Sequence, residues 1–344
     1  MISKNLKGEV WVFAEADHEH VAEVSLELLS KGRELADTLR VPLGAVLLGG
    51  SVANLAAKLI AFGADKVHLV EHAALAHYQA SPYAKAIAQL VQKESPQIVL
   101  YGASGVGRDL APRIASALRA GLTADCTDLE IGDYEDPVSK QRYSNLLLQI
   151  RPAFGGNIIA WIVNPERWPQ MATVREGVMR LPEAQPSRTG AIVPHQVTLS
   201  PADVALKLVD EYRAEKKVNL KAARIIVTGG AGVGCKENFK LVYDLANVLG
   251  AAVGASRAAV DNGYISKDHQ VGQTGTTVRP ALYIACGVSG QVQHRAGMQE
   301  AAKIVAINKD PHAPIFSIAH YRIMGDLNVV LPMMTQAVKE RAGQ

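Results

Sequence analysis

The sequence is poor in the features that mark several large protein classes. Aromatic residues make up 5% of the 344 residues, and the three cysteines, Cys126, Cys235 and Cys286, form no CxxC pair. An odd number of widely spaced cysteines predicts neither a disulfide framework nor a zinc site, so we interpret them as buried small apolar residues. No five or six like charges follow one another and the net charge is +3, which argues against nucleic acid as a partner.

Long hydrophobic runs are missing as well. The longest stretch without a charge, residues 41–57, is interrupted by Pro42, Asn54 and three glycines, and it is too short to cross a bilayer. The apolar run near the N-terminus is broken by Glu15 and does not resemble a signal peptide. We therefore expect a cytoplasmic protein that is not inserted in a membrane.

What the sequence does contain is a regular alternation of apolar strands and amphipathic helices over its first 120 residues. The segments EVWVFAEA, GAVLLGG, KVHLVEH and QIVLYGAS predict buried strands, each followed by apolar residues at helical spacing. Such alternation indicates βαβ units and a parallel sheet. After residue 121, two extended segments with turn residues Gly155, Gly156 and Asn157 predict hairpins. The Pro-containing region from there to about residue 201 is predicted to be irregular.

A second block of the same kind begins at residue 223. ARIIVTGG, ALYIACGVSG and KIVAINKD predict further buried strands, while KENFKLVYDLANVLG and NVVLPMMTQAVKE predict helices. The chain length also favours two domains. The sequence therefore predicts an α/β protein of two domains, residues 1–210 and 211–344, each a mostly parallel sheet with helices on both faces.

Familiar catalytic and nucleotide-binding motifs are incomplete. GGAGVG at 229–234 lies between a strand and a helix, but it is not a GxGxxG, and Lys236 falls one position late for a P-loop. A tight turn is the favoured interpretation and phosphate binding the alternative. No GxSxG motif and no acidic pair stands out. His68 and His72 would share a face of a predicted strand without a cysteine or carboxylate beside them, so we predict no metal site.

Four polar clusters converge on one predicted sheet edge of the second block. They are residues 256–275, residues 289–294, Asn308 and Asp326. Because ligands of open α/β sheets bind outside the carboxyl ends of the strands, these clusters predict a nucleotide-sized ligand at one sheet edge. The first cluster, SRAAVDNGYISKDHQVGQTG, shows neither helical nor strand periodicity, and structureless loops of such length in compact domains are usually functional.

Several of these segments resemble the alpha subunit of electron transfer flavoproteins. GASRAAVDNG, QVGQTG, LYIACGVSGQVQH and IVAINKDPHAPIF occur in the order and spacing of that family. GRDLAPRIA, GLTADCTDL, RPAFGGNI and PQMATVREGVM extend the resemblance over essentially the whole chain. The resemblance implies a heterodimer in which residues 1–210 form the interface with a beta subunit. It also implies that residues 211–344 form a doubly wound domain that binds one FAD.

The resemblance further implies which residues bind the FAD, and it implies no metal. By the family's motifs they would be Ser256, Arg257, Gln270, Gln273, Thr274, Gly275, Ser289, Gly290, Gln293, His294, Asn308 and Asp326. Arg257, Thr274 and His294 would tune the redox properties of the flavin ring. Asn308 and Asp326 would hold the adenosine end.

The implied function is electron transfer between the beta subunit and a dehydrogenase such as an acyl-CoA dehydrogenase, so the chain alone would be a redox carrier. PQMATVREGVM and Ala231 also suggest the hypothesis of an electron-bifurcating type, in which NADH reduces a flavin on the beta subunit. Ala231 stands where many relatives have Arg, which predicts a lower flavin potential here. One alternative is a stand-alone NAD(P)-dependent dehydrogenase, which would require a GxGxxG turn followed by an acidic residue. The other is a nucleotide-binding module without redox chemistry.

Overall fold

The structure is a computed structural model, and it describes residues 4–17, 19–153, 158–210 and 218–342. The chain divides into two compact units, Met1–Glu211 (unit 1) and Tyr212–Gln344 (unit 2). Each unit has its own parallel sheet and its own hydrophobic core.

Unit 1 is built on a fully parallel sheet. Its strands are β1 (Val10–Ala14), β2 (Leu43–Gly49), β3 (Lys66–Glu71), β4 (Ile98–Gly102), β5 (Leu122–Cys126), β6 (Asp128–Glu135), β7 (Arg142–Ala153), β8 (Ile158–Ile162), β9 (Gln170–Val174) and β10 (Ala191–Pro194). Its helices are α1 (Glu23–Leu39), α2 (Ala56–Ala61), α3 (Ala80–Glu94) and α4 (Gly105–Leu118). The parallel sheet has the order β10-β3-β2-β1-β4-β9-β5, and β6, β7 and β8 form a separate antiparallel sheet.

Both faces of the parallel sheet in unit 1 are buried. Along β1, Val10 and Val12 belong to one core cluster, whereas Trp11 and Phe13 belong to the other. Helices α1 and α2 cover the first face, and α3 and α4 cover the second. Burial on both faces explains why the strands read as continuous apolar runs instead of alternating patterns, and it confirms the predicted layers.

Unit 2 repeats this plan on a smaller scale. Its strands are β11 (Ile225–Gly229), β12 (Ala252–Ala255), β13 (Leu282–Cys286), β14 (Ile304–Asn308) and β15 (Tyr321–Met324), and its helices are α5 (Phe239–Leu249), α6 (Arg257–Asp261), α7 (Val292–Arg295) and α8 (Leu327–Ala342). The sheet is parallel, in the order β12-β11-β13-β14-β15. Along β11, Ile226 and Val227 pack into different core clusters, so this sheet too is covered on both faces.

Three details of the prediction were wrong. The region expected to be irregular contributes β9, which lies between β4 and β5, and β10 at the sheet edge; these strands are added to the sheet out of chain order, which no local pattern shows. The stretch 256–275 is not structureless, because it begins with α6, a helix too short to display a period. Cys126 and Cys286 are buried as predicted, but Cys235 is half-buried. The predicted turn at 155–157 lies outside the described residues.

His68 does have a carboxylate beside it, contrary to the sequence-based expectation. Its Nε2 lies 2.7 Å from the Glu9 carboxylate, and its Nδ1 lies 2.9 Å from Nε2 of His195. The sequence hid this contact because the three residues come from β3 and from the flanks of β1 and β10. Within the described residues, no group of three His, Cys, Asp or Glu side chains is arranged to hold a metal ion, and no helix has the length and apolar character needed to cross a membrane.

Candidate functional site

The strand order of unit 2 creates a crevice between β11 and β13. After β11 the chain adds β12 on one side and then returns to place β13 on the other. The connections therefore leave the carboxyl ends of β11 and β13 in opposite directions. Such a switch point is where open α/β sheets bind their ligands.

Glycines line this crevice where two loops touch. The Gly230 amide donates to the Cys286 carbonyl over 2.8 Å, and the Gly232 amide donates to the Gly287 carbonyl over 3.0 Å. A Cβ atom on Gly230 would lie 2.1 Å from the Gly287 oxygen, so no side chain fits there. GGAGVG is therefore the tight turn that the sequence favoured, held against the loop after β13.

The loop after β13 is fixed by its backbone. Gly290 has a φ of +83°, which favours glycine, and a Cβ there would lie 2.3 Å from the Ile315 nitrogen. The Ile315 amide donates to the Ser289 carbonyl over 3.0 Å. Ser289 itself is exposed, so the loop presents a hydroxyl to solvent at the edge of the sheet.

Ser256 and Arg257 follow β12. The Ser256 backbone is extended, its side chain accepts from the Ala259 amide at the start of α6, and its own amide donates to the Gly229 carbonyl. Arg257 is exposed, and its Nε lies 3.3 Å from the Asp261 carboxylate one helical turn later. The guanidinium is thus held only by an exposed pair, which contributes little stability.

Residues 270–276 form a tight turn beside Ser256. Gln270 bridges to Ala255 at the end of β12, and its carbonyl accepts the Thr276 amide over 2.7 Å. A Cβ on Gly275 would lie 2.3 Å from the Gln270 oxygen, so the turn requires glycine there. The Gln270 amide nitrogen donates to the Thr274 hydroxyl oxygen over 2.9 Å.

This turn also joins the loop that contains His294. The Gln273 amide donates to the Gln293 carbonyl over 2.7 Å. His294, on α7, is 7% exposed, and its Nε2 lies 3.0 Å from the Tyr283 hydroxyl. Burial lowers the pKa of His294 to about 4, against a smaller rise from the backbone of Val271. At neutral pH the ring is therefore uncharged.

Asn308 and Asp326 lie toward the other edge of the sheet. The Asn308 side-chain amide donates to the Val288 carbonyl over 2.9 Å, which links the end of β14 to the loop after β13. Asp326 follows β15, and its carboxylate lies 2.8 Å from the Lys309 ammonium. That contact lowers the pKa of Asp326, with help from the Asn328 backbone amide.

The structure brings the predicted residues into one row at the carboxyl edge of the five-stranded sheet. From Ser256 after β12, the row runs past the loop after β13 and the end of β14 to Asp326 after β15. Four strand spacings of about 4.8 Å make this row about 19 Å long.

Lys309 also belongs to this row, and Tyr283 in the core of unit 2 contacts His294; sequence reasoning missed both. Lys309 directly follows Asn308, so its position beside the site could have been noticed, but its pairing with Asp326 depends on β14 and β15 being neighbours. Tyr283 begins as an ordinary core residue of β13 and is fully buried. Only the return of α7 onto β13 places its hydroxyl against His294, and no local pattern signals that contact.

Comparison with known proteins agrees with this geometry. The family described as "Electron transfer flavoprotein domain" matches residues 10–200, and the "Electron transfer flavoprotein FAD-binding domain" matches residues 219–299. The electron transfer flavoprotein subunit alpha of Thermoanaerobacterium thermosaccharolyticum is 48% identical, over 96% of this chain and 98% of that protein. The subunit alpha of Megasphaera elsdenii is 45% identical, over 97% of both chains.

A third relative carries a more specific name. It is the acryloyl-CoA reductase electron transfer subunit beta of Anaerotignum propionicum, which is 41% identical over 96% of both chains. Family matches to both units and full-length identities above 40% agree with the two parallel sheets and the row of polar residues on the second. The chain therefore belongs to the electron transfer flavoprotein family, as one of its alpha subunits.

Proposed function

We propose that this chain binds one FAD non-covalently along the carboxyl edge of unit 2 and relays electrons between a beta subunit and a dehydrogenase of the acyl-CoA type. The observation that carries the proposal is the row from Ser256 to Asp326. A mononucleotide needs the switch point alone, whereas this row continues over two further strands, which suits a dinucleotide.

The middle of the row suits a pyrophosphate. At Gly290 the positive φ and the nearby Ile315 exclude a Cβ, which fixes the loop that carries the exposed Ser289. Ser256 and Ser289 supply hydroxyl groups, and their loops carry no carboxylate next to these positions. At the far end, Lys309 offsets the negative charge of Asp326, which removes a repulsion that an anionic dinucleotide would otherwise meet.

The β12 end of the row suits a flavin ring. FAD supplies the one- and two-electron chemistry when it is bound; the protein supplies hydrogen bonds and charge around it. Thr274 and Gln273 are exposed at the tip of their turn, and Gly275 keeps that turn thin. Arg257 offers a cation that favours the negative charge a flavin gains on reduction, and its pairing with Asp261 is weak enough to yield to a ligand.

The partners follow from the family and from the names of relatives. An alpha subunit implies a beta subunit, and the relative from Anaerotignum propionicum is named for an acryloyl-CoA reductase. The same chemistry in this chain would make an acyl-CoA dehydrogenase or reductase the electron-transfer partner. We also propose the cytoplasm as the site of this function.

The proposal is tested by binding FAD and FMN to the protein freed of flavin, with flavin fluorescence as the signal. We expect FAD to bind more tightly than FMN. Asp326→Ala removes the carboxylate proposed to accept a hydrogen bond from the adenosine end, so it should weaken FAD binding about tenfold and leave FMN binding unchanged. Asp244→Ala is the matched control, because Asp244 forms an equally short exposed pair with Lys240 on α5. Failure to bind FAD, with or without the beta subunit, would reject the proposal.

Electron bifurcation with NADH is a further hypothesis within this function. It predicts that NADH reduces the flavins of the reconstituted heterodimer but not the FAD on this chain alone. Direct reduction of the isolated chain by NADH would instead favour the stand-alone dehydrogenase.

A further inference from the structure

Three buried side chains of unit 1 are hydrogen-bonded in series. The Glu9 carboxylate lies 2.7 Å from Nε2 of His68, and Nδ1 of His68 lies 2.9 Å from Nε2 of His195. The side chains of His68 and His195 are only 3% and 2% exposed. Since Glu9 precedes β1, His68 lies in β3 and His195 directly follows β10, the series joins three segments of the parallel sheet.

Glu9 fixes the proton on His68. Burial alone would raise the pKa of Glu9, but three donated hydrogen bonds lower it to about 2, so Glu9 is a carboxylate that only accepts. The donors are His68, Lys66 and Trp11. With Nε2 of a neutral His68 protonated, its Nδ1 accepts the Nε2 proton of His195. Nδ1 of His195 is then a bare, buried nitrogen that has no hydrogen-bond partner among the described residues.

The number of protons on the two imidazoles decides whether they can stay bonded. A neutral imidazole has one N–H donor and one acceptor, whereas an imidazolium has two donors and no acceptor. One added proton is tolerated, because one ring still accepts from the other. With a proton added to both rings, two N–H groups would face each other across the 2.9 Å between His68 and His195, and two positive charges would lie side by side away from water.

The surroundings of His195 oppose that second proton. Burial and, next, the charge of His68 lower the pKa of His195. Glu94 on α3 raises it by a smaller amount, since its carboxylate lies 3.9 Å from the bare Nδ1. The other charged groups nearby, Lys93 and Glu9, act in opposite directions.

Little of β10 is buried apart from the side chain that follows it. β10 is the outermost strand of its sheet, beside β3, and three of its four residues are exposed. His195 therefore supplies the buried anchor at its end. A second anchor lies beyond it, where the Gln89 side chain exchanges hydrogen bonds of 2.7 and 3.0 Å with the Thr198 backbone.

We propose that Glu9, His68 and His195 form an acid-sensitive latch, which holds β10 against β3 and releases it when both histidines are charged. β10 precedes the segment that leads into unit 2 after residue 211. Release would therefore add free length to the polypeptide that connects the two units. The proposal is independent of FAD binding.

Hydrogen exchange of the full-length protein, from about pH 7 to about pH 5, tests the latch. The signals are the amides of Ala191 and His195, which donate to carbonyls at β3, with rates corrected for the chemical effect of pH. Because opening lets His195 bind a proton, the opening constant should rise almost tenfold for each pH unit below about 6.5. The amides of β2 should exchange far more slowly at every pH, which would show that the opening is local. An opening constant of β10 that does not change with pH would contradict the latch.

His195→Gln separates titration from hydrogen bonding. The glutamine amide can donate to His68 but cannot take up a proton, so the acid response of β10 should disappear even if the strand is less protected throughout. His72→Gln is the matched control and should keep the response, because His72 is an exposed histidine of the same unit whose Nδ1 accepts the Ala74 amide. Gln89→Ala removes the second anchor and should raise exchange by the same factor at every pH.

Imidazole nitrogen chemical shifts of the wild-type protein give a test that needs no variant. If the latch operates, His195 becomes doubly protonated only as β10 opens, so both changes should have the same midpoint. A doubly protonated His195 beside β10 amides that are still protected would overturn the proposal. An acid response of β10 that His195→Gln retains would overturn it as well.

Discussion

The two units present the same kind of sheet edge to solvent but fill it differently. In unit 1, β1 lies between β2 and β4, so its carboxyl end is a switch point like that of unit 2. There the Ser104 hydroxyl donates to the Glu15 carboxylate in a short hydrogen bond, and the Gly107 amide of α4 donates to Ser104. In unit 2 the corresponding crevice between β11 and β13 is lined by glycines.

Farther along the edge of unit 1, side chains again occupy the space. Arg175, just after β9, lies 2.7 Å from the Asp125 carboxylate at the end of β5. The carboxylates of Glu15 and Asp125 thus occupy positions at this edge that a ligand's phosphate would otherwise take. Parallel topology offers a crevice in both units, but side chains decide whether a ligand can use it. In unit 1 a hydrogen bond and an ion pair fill the edge, whereas glycines line the crevice between β11 and β13 in unit 2.

The largest effect is expected when a side chain is introduced into the edge of unit 2. Gly290→Ala puts a Cβ within 2.3 Å of the Ile315 nitrogen and forces a positive φ on alanine. The backbone conformation alone costs about 1–2 kcal/mol, and the contact adds to it, so we expect loss of measurable FAD binding. Hydrogen exchange in β13 and β14 would show whether the sheet also loosens.

Gly263→Ala is the matched control for that substitution. Gly263 also has a positive φ, +73°, but a Cβ there would meet nothing within 4 Å. It should lower the free energy of unfolding by about 1–2 kcal/mol through backbone strain alone and leave FAD affinity unchanged. Equal FAD binding by both variants would show that the loop after β13 does not take part in FAD binding.

Unit 1 should respond most strongly to removal of an ion pair from its edge. The side chains of Arg175 and Asp125 are 10% and 22% exposed, so Arg175→Ala leaves a largely buried carboxylate with only the longer, 3.5 Å contact to Arg108. Breaking such a pair costs about 3–5 kcal/mol. Tryptophan fluorescence can follow this change in unit 1 selectively, because Trp11, Trp161 and Trp168 all lie there.

Arg142→Ala is the control for the loss of an arginine. Arg142 pairs with Glu135 at 2.8 Å, but its side chain is 84% exposed, so the cost should stay below about 1 kcal/mol. If both arginine variants shifted the fluorescence transition equally, burial would not be what makes the Arg175 pair important.

Acid should weaken unit 2 through His294. Its pKa in the folded protein is about 4, below the ordinary value of about 6.5. Between these two pH values the unfolded chain binds a proton that the folded chain does not bind. Stability is full above pH 6.5 and falls as the pH is lowered to 4, by about 3 kcal/mol in total. Hydrogen exchange of the β13 amides in the protein freed of flavin would measure this loss.

His294→Asn should flatten that pH dependence in unit 2. His195 in unit 1 also has a lowered pKa, chiefly from burial, so tryptophan fluorescence should still report weakening of unit 1 in acid. An unchanged slope in β13 after the His294 substitution would assign the acid sensitivity of unit 2 to another group.

The contrast between the units also shows what the sequence can predict. Layers and parallel sheets followed from apolar runs such as residues 10–14, because a strand buried on both faces must be apolar at every position. The placement of β9 between β4 and β5 did not follow, because it depends on which strands remain unpaired after the first four have assembled. The five-residue α6 was missed because it spans barely more than one turn, so helical periodicity cannot be read from it.

The candidate site was predictable in position but not in its internal bonds. The predicted strand ends were enough to locate Ser289 and Asn308 on one edge, whereas the strand before Ser256, β12, was not predicted. The contact of Tyr283 with His294 required the return of α7 onto β13, and that of Gln270 with Thr274 required the conformation of the turn at 270–276. The ion pairs that fill the edge of unit 1 were equally invisible, since Arg175 and Asp125 are 50 residues apart.

The smallest expected effect comes from adding charge to the glycine turn of unit 2. Ala231 is exposed at the start of the turn after β11, where the resemblance to the family predicts Arg. Ala231→Arg should raise the potential of the bound flavin by up to about 30 mV, a tenfold change for a two-electron couple, because a cation favours the negative charge gained on reduction. Ala231→Gln adds length without charge and should leave the potential unchanged. Because an exposed charge is screened by salt, the rise should shrink in 1 M salt. Equal potentials in all three proteins would mean that this turn lies too far from the ring to act on it.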